Sequence, residues 1–178
     1  MREGERWNKT FEEILKKNNI RADKITQKAA FEHREKVFKN LFKIKMFEGS
    51  EVLLDKLQDK GIALGLVTGT PRRELKKILP KRIYRMFKAI VPSDEVKFGK
   101  PHPEPYLTAL RKLKIRPSEA IVVENAPNGV KAANKAGIRC VAIETSLSRA
   151  YLKGAYKVVR SIKELSKLLR EEVFMCFR

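Results

Sequence analysis

Three short segments of the chain carry polar residues that could bind a phosphate group together with a metal ion. They read LVTGT over residues 66–70, GKPHPEP over residues 99–105 and VVENAPNGV over residues 122–130. Each stands at the end of an apolar, strand-like run or in a loop just beyond one. Ligands of parallel α/β sheets bind beyond the carboxyl ends of the strands, so this placement predicts one site at one edge of a sheet.

The LVTGT segment offers hydroxyl and backbone donors. The Thr68 hydroxyl can donate to a phosphate oxygen, and Gly69 lets the backbone N–H approach an anion closely. Thr70 and Pro71 begin the following helix, and a helix N-terminus attracts anions. A strand exit followed by an N-cap threonine and a proline at the first helical position would explain the same residues without any ligand.

The GKPHPEP segment holds a lysine in a stiff setting. Lys100 stands between Gly99 and Pro101, and a fixed ammonium there could neutralise both a phosphate and a neighbouring carboxylate. Lysine is abundant in this chain and prolines often precede helices, so a purely structural role is the alternative. His102 is flanked by prolines, which favours a role in shaping the loop over proton transfer.

The VVENAPNGV segment is the most specific of the three. Glu124 ends a strand, where its carboxylate could reach a hard cation such as Mg²⁺ directly or through water. Asn125 could add an amide oxygen or orient a water. Pro127 and Gly129 shape the first turn of the next helix. A capped helix after a strand is the alternative, although capping alone does not require this run of small residues.

The composition favours a folded domain and excludes several classes of protein. The chain has 178 residues, of which 43% are apolar and 34% charged, as in one domain with a well-solvated surface. No apolar run approaches the about 20 residues that span a bilayer, and the first residues lack the apolar core of a secretory signal. We therefore expect a cytoplasmic protein with no membrane partner.

The formal net charge of +19 raises the question of a nucleic-acid partner. Basic surfaces gain affinity for nucleic acids by releasing phosphate counterions. Here the basic residues are scattered, and many stand beside acids, as in RRELKK over residues 72–77. The chain also lacks the signatures of the common nucleic-acid-binding folds. We therefore do not expect a nucleic acid as the main partner.

Helical and strand-like segments alternate along the chain. Because apolar strands that alternate with helices indicate a parallel sheet covered on both faces, the pattern predicts an α/β fold. Helices are predicted over 5–18, from Asp23 to Leu41, from a Ser50 cap to a Gly61 stop, from Pro71 to Leu79, and over 105–113, 128–136 and 162–169. Strands are predicted over 62–67, 87–91, 120–123, 138–143 and 157–159.

In this order the three segments resemble motifs two, three and four of the haloacid dehalogenase-like phosphohydrolases. The resemblance covers nearly the whole chain and is closest to the branch with a helical cap, which includes β-phosphoglucomutase and phosphoglycolate phosphatase. It implies a Rossmann-like core over residues 46–178 and a remnant of the cap over residues 1–45. The activity it implies is Mg²⁺-dependent hydrolysis or transfer of phosphate on a small phosphorylated metabolite.

The resemblance also implies roles for individual residues. Thr68 and Lys100 match catalytic positions, and the phosphate would be held by Thr68, Gly69, Thr70 and Lys100. Glu124 and Asn125 match the acidic pair that places Mg²⁺, and the neutral Asn125 implies weaker metal binding. Arg6, in the part of the cap that faces the substrate, is a candidate specificity residue.

One motif of the family is missing, because the sequence contains no Asp-x-Asp pair. In the family the first Asp is the nucleophile, which forms an aspartyl-phosphate, and the second is the general acid/base. Both end a first strand that lies between the strands ending at Thr68 and Glu124. We therefore expect this chain to be inactive alone and Mg²⁺ binding to be weak or absent. A late-assigned start, a broken gene and a partner that supplies the strand remain open.

Loss of a central strand would leave two unpaired sheet edges, which invite another chain to add a strand. We expect self-association through these edges, unless the two flanking strands close up and pair directly. A non-catalytic module that binds a phosphorylated ligand or a partner is the alternative function.

Overall fold

Parallel strands alternate with helices over residues 7–21, 23–41 and 46–174, which are the residues described by the computed structural model. The helices are α1 (Trp7–Lys17), α2 (Lys24–Leu41), α3 (Ser50–Asp59), α4 (Arg72–Ile78), α5 (Lys81–Met86), α6 (Glu104–Leu113), α7 (Pro127–Lys135) and α8 (Ile162–Phe174). The strands are β1 (Leu64–Val67), β2 (Phe87–Val91), β3 (Ile121–Glu124), β4 (Arg139–Ile143) and β5 (Lys157–Val159). The α/β class and all five predicted strands are confirmed, with bounds that shift by two residues at most.

The five strands form two parallel sheets with an unpaired slot between them. One sheet has the order β1-β2 and the other has the order β3-β4-β5. The remaining edges of β1 and β3 face each other across a cavity, and no backbone ladder joins these two strands. We call the space between these two edges the strand slot. It lies where the sequence predicts a missing central strand, and direct pairing of β1 with β3 is not observed.

Side chains at the strand slot reflect its openness. Val123 is 43% exposed although it lies in the middle of a strand. A valine in the interior of a doubly covered parallel sheet is normally buried. Its exposure therefore marks the slot as an incomplete part of the core.

Helices cover both faces of the two sheets and join them. On one face α3, α5 and α8 pack against residues of β1, β4 and β5 in a single apolar cluster. On the other face α6 and α7 pack against β3 and β4. Helix α6 also contacts β1 and β2, so it spans both sheets. The sheets are thus held together by helices and side chains and not by a continuous ladder.

The ends of helix α3 show how the backbone positions the first strand. Gly61 has a φ of 73°, and its N–H donates to the Gln58 carbonyl at 2.8 Å while the Ile62 N–H donates to the Leu57 carbonyl at 3.0 Å. This pair of bonds is a Schellman motif, which confirms the predicted stop at Gly61. The predicted Ser50 cap is wrong, because Ser50 is already helical and Gly49, with a φ of 78°, holds the N-cap position without a side-chain bond.

Helices α1 and α2 occupy the predicted helical segments at the start of the chain. The Thr26 N–H donates to the Asp23 carboxylate at 2.7 Å, which confirms the predicted cap. Among the side chains of α1 and α2 that the structure describes, none is buried, and Ile25 is 79% exposed. The assignment of residues 1–45 to a cap remains a prediction. None of the described helices is both long and apolar enough to cross a membrane.

Candidate phosphate site

An open cavity of about 380 Å³ lies at the carboxyl ends of β1 and β3. Its polar wall contains the predicted residues Thr68, Gly69, Lys100, Glu124 and Asn125. Its other wall runs into the strand slot and is largely apolar. The remaining lining residues are Phe47, Val67, Val123, Ala126, Ile143, Thr145 and Ile162.

Lys100 bridges the two sheets at the mouth of the strand slot. Its ammonium donates to the Val67 carbonyl at 3.2 Å and to the Glu124 carboxylate. Both side chains are largely buried, with 10% of Lys100 and 7% of Glu124 exposed. An ammonium has three donors, so one donor of Lys100 remains for a ligand in the cavity.

The loop that carries Lys100 is fixed by helix α6. The Glu104 carboxylate, in the first turn of α6, accepts from the backbone N–H groups of Lys97 and Phe98, each at 2.8 Å. The Lys100–Pro101 peptide bond is cis, and the Phe98 ring lies 4.9 Å from the ring of His102. His102 accepts from the Glu104 N–H at 3.2 Å, which agrees with its predicted role in the loop.

Glu124 is surrounded by four hydrogen-bond donors. One carboxylate oxygen accepts from Lys100 and from the Tyr106 hydroxyl, the latter at 2.6 Å. The other oxygen accepts from the backbone N–H groups of Asn125 at 3.0 Å and Ala126 at 3.2 Å. Because all four donors are in place, a metal ion could reach this carboxylate only by displacing one of them. The metal role of Glu124 stays a prediction.

Gly129 leaves the space that the Glu124 carboxylate occupies. A Cβ atom at position 129 would lie closer than 3.0 Å to the carboxylate carbon and to both of its oxygens. The first turn of helix α7 therefore packs directly on the carboxylate, and only a residue without a side chain permits this approach. The requirement for glycine is thus tied to the position of Glu124.

Thr68 and Gly69 present donors to the cavity from the end of β1. The Thr68 hydroxyl oxygen accepts from the Thr70 N–H at 3.1 Å, which leaves its own hydrogen free to donate. The Gly69 N–H has no acceptor among the described residues. Thr70 does not line the cavity. The structure therefore brings Thr68, Gly69 and Lys100 together and leaves Thr70 outside the group.

The N-terminus of helix α4 does not offer an anion site. Its N-cap position is Pro71, so the predicted Thr70 cap with Pro71 in the first turn is wrong by one residue. The Arg72 N–H donates to the Asp94 carboxylate at 3.0 Å. An internal carboxylate from the loop after β2 therefore meets the helix end where the sequence predicts a ligand.

Asn125 is held by the loop that follows β4. Its amide nitrogen donates to the Thr145 hydroxyl at 3.0 Å and lies 3.5 Å from the Ser146 hydroxyl. This leaves the amide oxygen, a neutral ligand, for a cation. No group of three or more His, Cys, Asp or Glu side chains suited to a metal occurs within the described residues. These residues alone do not fit a Mg²⁺ site.

Burial of the site raises the pKa values of two neighbouring groups. Desolvation, followed by the charge of Glu124, raises the pKa of the Tyr106 hydroxyl far above its ordinary value. Desolvation raises the pKa of the Cys140 thiol to about 12, with the charge of Glu124 as the second cause. Tyr106 therefore remains a hydrogen-bond donor to Glu124 at any ordinary pH, and Cys140 stays a neutral thiol.

Two residues of the site escape sequence reasoning. Tyr106 belongs by spacing to the apolar stripe of α6, and nothing in that pattern distinguishes it from a core residue. Thr145 follows β4 by two positions, and the parallel order of the strands, which brings their ends to one edge, is the signal that could have found it. Arg6, the predicted specificity residue, lies outside the described residues.

Three comparisons with known proteins point to one family. The haloacid dehalogenase-like hydrolases match residues 4–143. Validoxylamine A 7′-phosphate phosphatase of Streptomyces hygroscopicus subsp. limoneus is 36% identical over 119 residues, which are 66% of this chain and 56% of the relative. Phosphorylated carbohydrates phosphatase of Thermotoga maritima is 34% identical over 149 residues, which are 82% of this chain and 68% of the relative.

A solved structure supports the fold. β-Phosphoglucomutase of Clostridium difficile superposes with a TM-score of 0.76 at 21% identity, over 96% of this chain and 80% of that one. The chain spans only 56% and 68% of the length of the two curated relatives.

Proposed function

Because the chain belongs to the haloacid dehalogenase-like hydrolase family, we propose that its site binds the phosphate group of a small phosphorylated metabolite. The observation that carries this proposal is the meeting of Thr68, Gly69 and Lys100 in one cavity. Each keeps a donor that no described group accepts. Three such donors, one of them charged, favour a ligand that accepts hydrogen bonds and carries negative charge, as phosphate does.

The relatives support phosphate chemistry for a protein that carries this site. Their names assign one to validoxylamine A 7′-phosphate and the other to phosphorylated carbohydrates. By this likeness we propose a phosphatase or phosphomutase activity. In such a reaction Lys100 would neutralise the phosphate charge, Thr68 and Gly69 would orient its oxygens, and Glu124 with Tyr106 would hold Lys100 in place.

We propose that this chain alone does not turn over phosphate esters. It contains no Asp-x-Asp pair, and no Asp side chain lines the cavity. Mg²⁺, which the family generally uses, would supply charge neutralisation at the phosphate, yet Glu124 already accepts from four donors and Asn125 offers only a neutral amide oxygen. On this chain alone the site is therefore a non-catalytic binder of phosphorylated ligands, and we derive no step through the metal.

We further propose that the strand slot takes one more strand, parallel to β1 and β3, with an Asp-x-Asp pair at its carboxyl end. The facing unpaired edges and the greater length of the relatives support this part. Adding a segment with this strand, fused or in trans, should raise the unfolding temperature markedly. Without it, sedimentation should show concentration-dependent association. A monomer that unfolds in one sharp transition and gains nothing from the added segment would contradict this part.

Calorimetric titration tests the phosphate site directly. We expect glucose 1-phosphate and inorganic phosphate to bind, and glucose not to bind. Lys100→Met should weaken phosphate binding by about 10-fold to 150-fold, since a hydrogen bond from a charged group contributes about 1.5–3 kcal/mol. Thr68→Val should weaken it by about 2-fold to 10-fold, the range for a neutral hydrogen bond.

Thr70→Val is the matched control, because it removes the same hydroxyl from the same loop but outside the cavity. It should bind phosphate as the wild type does. A wild type that does not bind phosphate, or three variants with equal affinity, would contradict the proposed site.

A turnover assay tests the missing nucleophile separately. With Mg²⁺ and p-nitrophenyl phosphate, we expect no hydrolysis above background, even where phosphate binds. Turnover that disappears in Lys100→Met would mean that another residue acts as the nucleophile, while the phosphate site itself would stand.

A further inference from the structure

Within the residues that the structure describes, helices α4 and α5 and the start of β2 carry a dense group of exposed cations with no ion-pair partner. The group lies within residues 73–88 and makes no salt bridge in the described structure, whereas Arg72 and Arg82 beside it each make one or more. All six side chains are exposed. We call this surface the basic patch; its members are Arg73, Lys76, Lys77, Lys81, Arg85 and Lys88.

The acid that stands among these cations in the sequence does not share their surface. Glu74 is only 7% exposed, whereas Arg73, Lys76 and Lys77 point outward on the same helix. Residues three and four positions apart lie on one helix face, so these three cations form one row. In RRELKK the acid Glu74 therefore faces the core, while Arg73, Lys76 and Lys77 face the solvent. This removes one reason for expecting no nucleic-acid partner.

The second helix carries two further exposed cations. Lys81 and Arg85 are four positions apart on α5, and the buried Ile83 and Met86 hold the opposite side of that helix in the core. Helices of seven and six residues are only about 10 Å long. Only Leu79 and Pro80 separate the two helices, so the six cations lie within a shorter span than a duplex of about 20 base pairs, in which each strand carries one phosphate per about 3.4 Å.

We propose that the basic patch binds the phosphate backbone of a nucleic acid without reading its sequence. Charge complementarity alone supplies such binding, through release of counterions from the phosphates. None of the exposed large apolar side chains of the described chain lies within residues 72–88. The patch therefore has neither the apolar face of a membrane-surface helix nor an exposed aromatic ring that could stack on bases.

Fluorescence anisotropy with a labelled, mixed-sequence DNA duplex of about 20 base pairs tests the proposal. If four to six cations each meet a phosphate, log Kd should change with log[salt] with a slope of about 3.6 to 5.4. That slope corresponds to a loss of about 150-fold to 2,000-fold in affinity between 50 and 200 mM salt. A duplex of scrambled sequence should bind equally well.

The patch variant replaces all six cations by Gln, and a control variant removes the same charge elsewhere. The control changes six exposed cations that lie on different elements and loops: Lys56, Lys114, Lys131, Lys153, Arg160 and Lys167. At 50 mM salt, the patch variant should lose at least about tenfold more affinity than the control does, with a shallower salt slope. Thermal unfolding should be similar for both, because every replaced side chain is exposed.

Several outcomes would overturn the proposal. Equal losses in the two variants would mean that net charge alone drives binding. A strong preference between the two duplexes would mean base readout. Absence of binding at 50 mM salt, or binding to vesicles rich in phosphatidylserine without binding to the duplex, would exclude a nucleic-acid backbone as the ligand.

Discussion

Two ionic clusters of similar composition lie near the carboxyl ends of the described strands, one at the strand slot and the other beside β2, the outer strand of its sheet. In the site cluster, Lys100 donates to a strand carbonyl, that of Val67, and to Glu124. In the edge cluster, Lys112 donates to the Ile90 carbonyl at 3.0 Å and to Glu95. Each cluster also includes a tyrosine hydroxyl, from Tyr106 in the first and from Tyr84 in the second.

The clusters differ in burial and in what surrounds the carboxylate. Glu124 and Lys100 are 7% and 10% exposed, whereas Glu95 and Lys112 are 31% and 38% exposed. Glu124 also accepts hydrogen bonds from two backbone N–H groups, whereas Glu95, among the described residues, accepts only from the side chains of Lys112 and Arg72. A buried charge depends on every partner, whereas water replaces a lost partner at the surface. The same chemical groups therefore form a buried, fully hydrogen-bonded site around Glu124 and a solvent-exposed ion pair around Glu95.

Of the variants of the two clusters, Glu124→Gln should lower the free energy of unfolding the most. It leaves the Lys100 ammonium buried without its counter-charge, and breaking a buried ion pair costs about 3–5 kcal/mol. We expect this loss in the free energy of unfolding, measured by urea denaturation, together with loss of phosphate binding. A loss below that of Glu95→Gln would show that water reaches the site cluster as easily as the edge cluster.

Tyr106→Phe should rank second, with Tyr84→Phe as its matched control. The first variant removes a buried donor to a carboxylate, worth about 1.5–3 kcal/mol. The second removes one acceptor of Arg72, the Tyr84 hydroxyl, but Arg72 still donates to Glu95 and to the Ile90 carbonyl. We therefore expect it to lower the free energy of unfolding by less than about 1 kcal/mol. Equal losses for the two tyrosines in urea denaturation would contradict the difference between the clusters.

Gly129→Ala tests the packing beneath the site cluster. The new methyl group overlaps the Glu124 carboxylate, and overpacking costs about 1–3 kcal/mol. We expect weaker phosphate binding in the same titration, because a displaced Glu124 no longer holds Lys100. Gly65→Ala is the control, since its new Cβ would lie 3.3 Å from the tip of the Leu113 side chain and within 4 Å of no charged atom. Unchanged phosphate binding in Gly129→Ala would contradict the expectation that Gly129, through Glu124, fixes the position of Lys100.

Glu95→Gln should have the smallest effect and a distinctive pH dependence. Lys112 first, and then Arg72, hold the pKa of the Glu95 carboxyl below its ordinary value. A lowered pKa in the folded state stabilises the fold above the unfolded value of about 4.3, and this contribution is lost as the pH falls through the lowered pKa. The variant should be less stable by about 0.2–1 kcal/mol at pH 7. In thermal scans the difference should vanish toward pH 2.

The fold was largely predictable, because five apolar runs separated by helical patterns leave little choice but a parallel α/β architecture. The slot between β1 and β3 was also predictable, from the resemblance and the absence of Asp-x-Asp. Helix α5 was not predicted, since Pro80 and several basic residues hide a helix of six residues whose Ile83 and Met86 alone are buried.

The site was predictable where its residues follow strands, as Thr68, Lys100 and Glu124 do. It was not predictable where the partner is distant in sequence. Asp94 reaches the N-terminus of α4 from 22 residues away, and Tyr106 reaches Glu124 from 18 residues away. Local patterns report which groups need a partner, whereas the tertiary fold decides which group becomes that partner.

The division into two sheets has a consequence for the order of folding. Each sheet is made from one continuous stretch, residues 64–91 or residues 121–159, so each can form through local contacts, which form fast. Helix α6 lies between these stretches in sequence and packs on both, through Gly65 on one side and through the cluster around Leu110 on the other. We expect Leu110→Ala to uncouple the two halves, so that hydrogen exchange would release the β1–β2 amides at a lower opening free energy than those of β3–β5. Helix α6 on one face and the apolar cluster of α3, α5 and α8 on the other would then be the two connections on which cooperative unfolding of the described core depends.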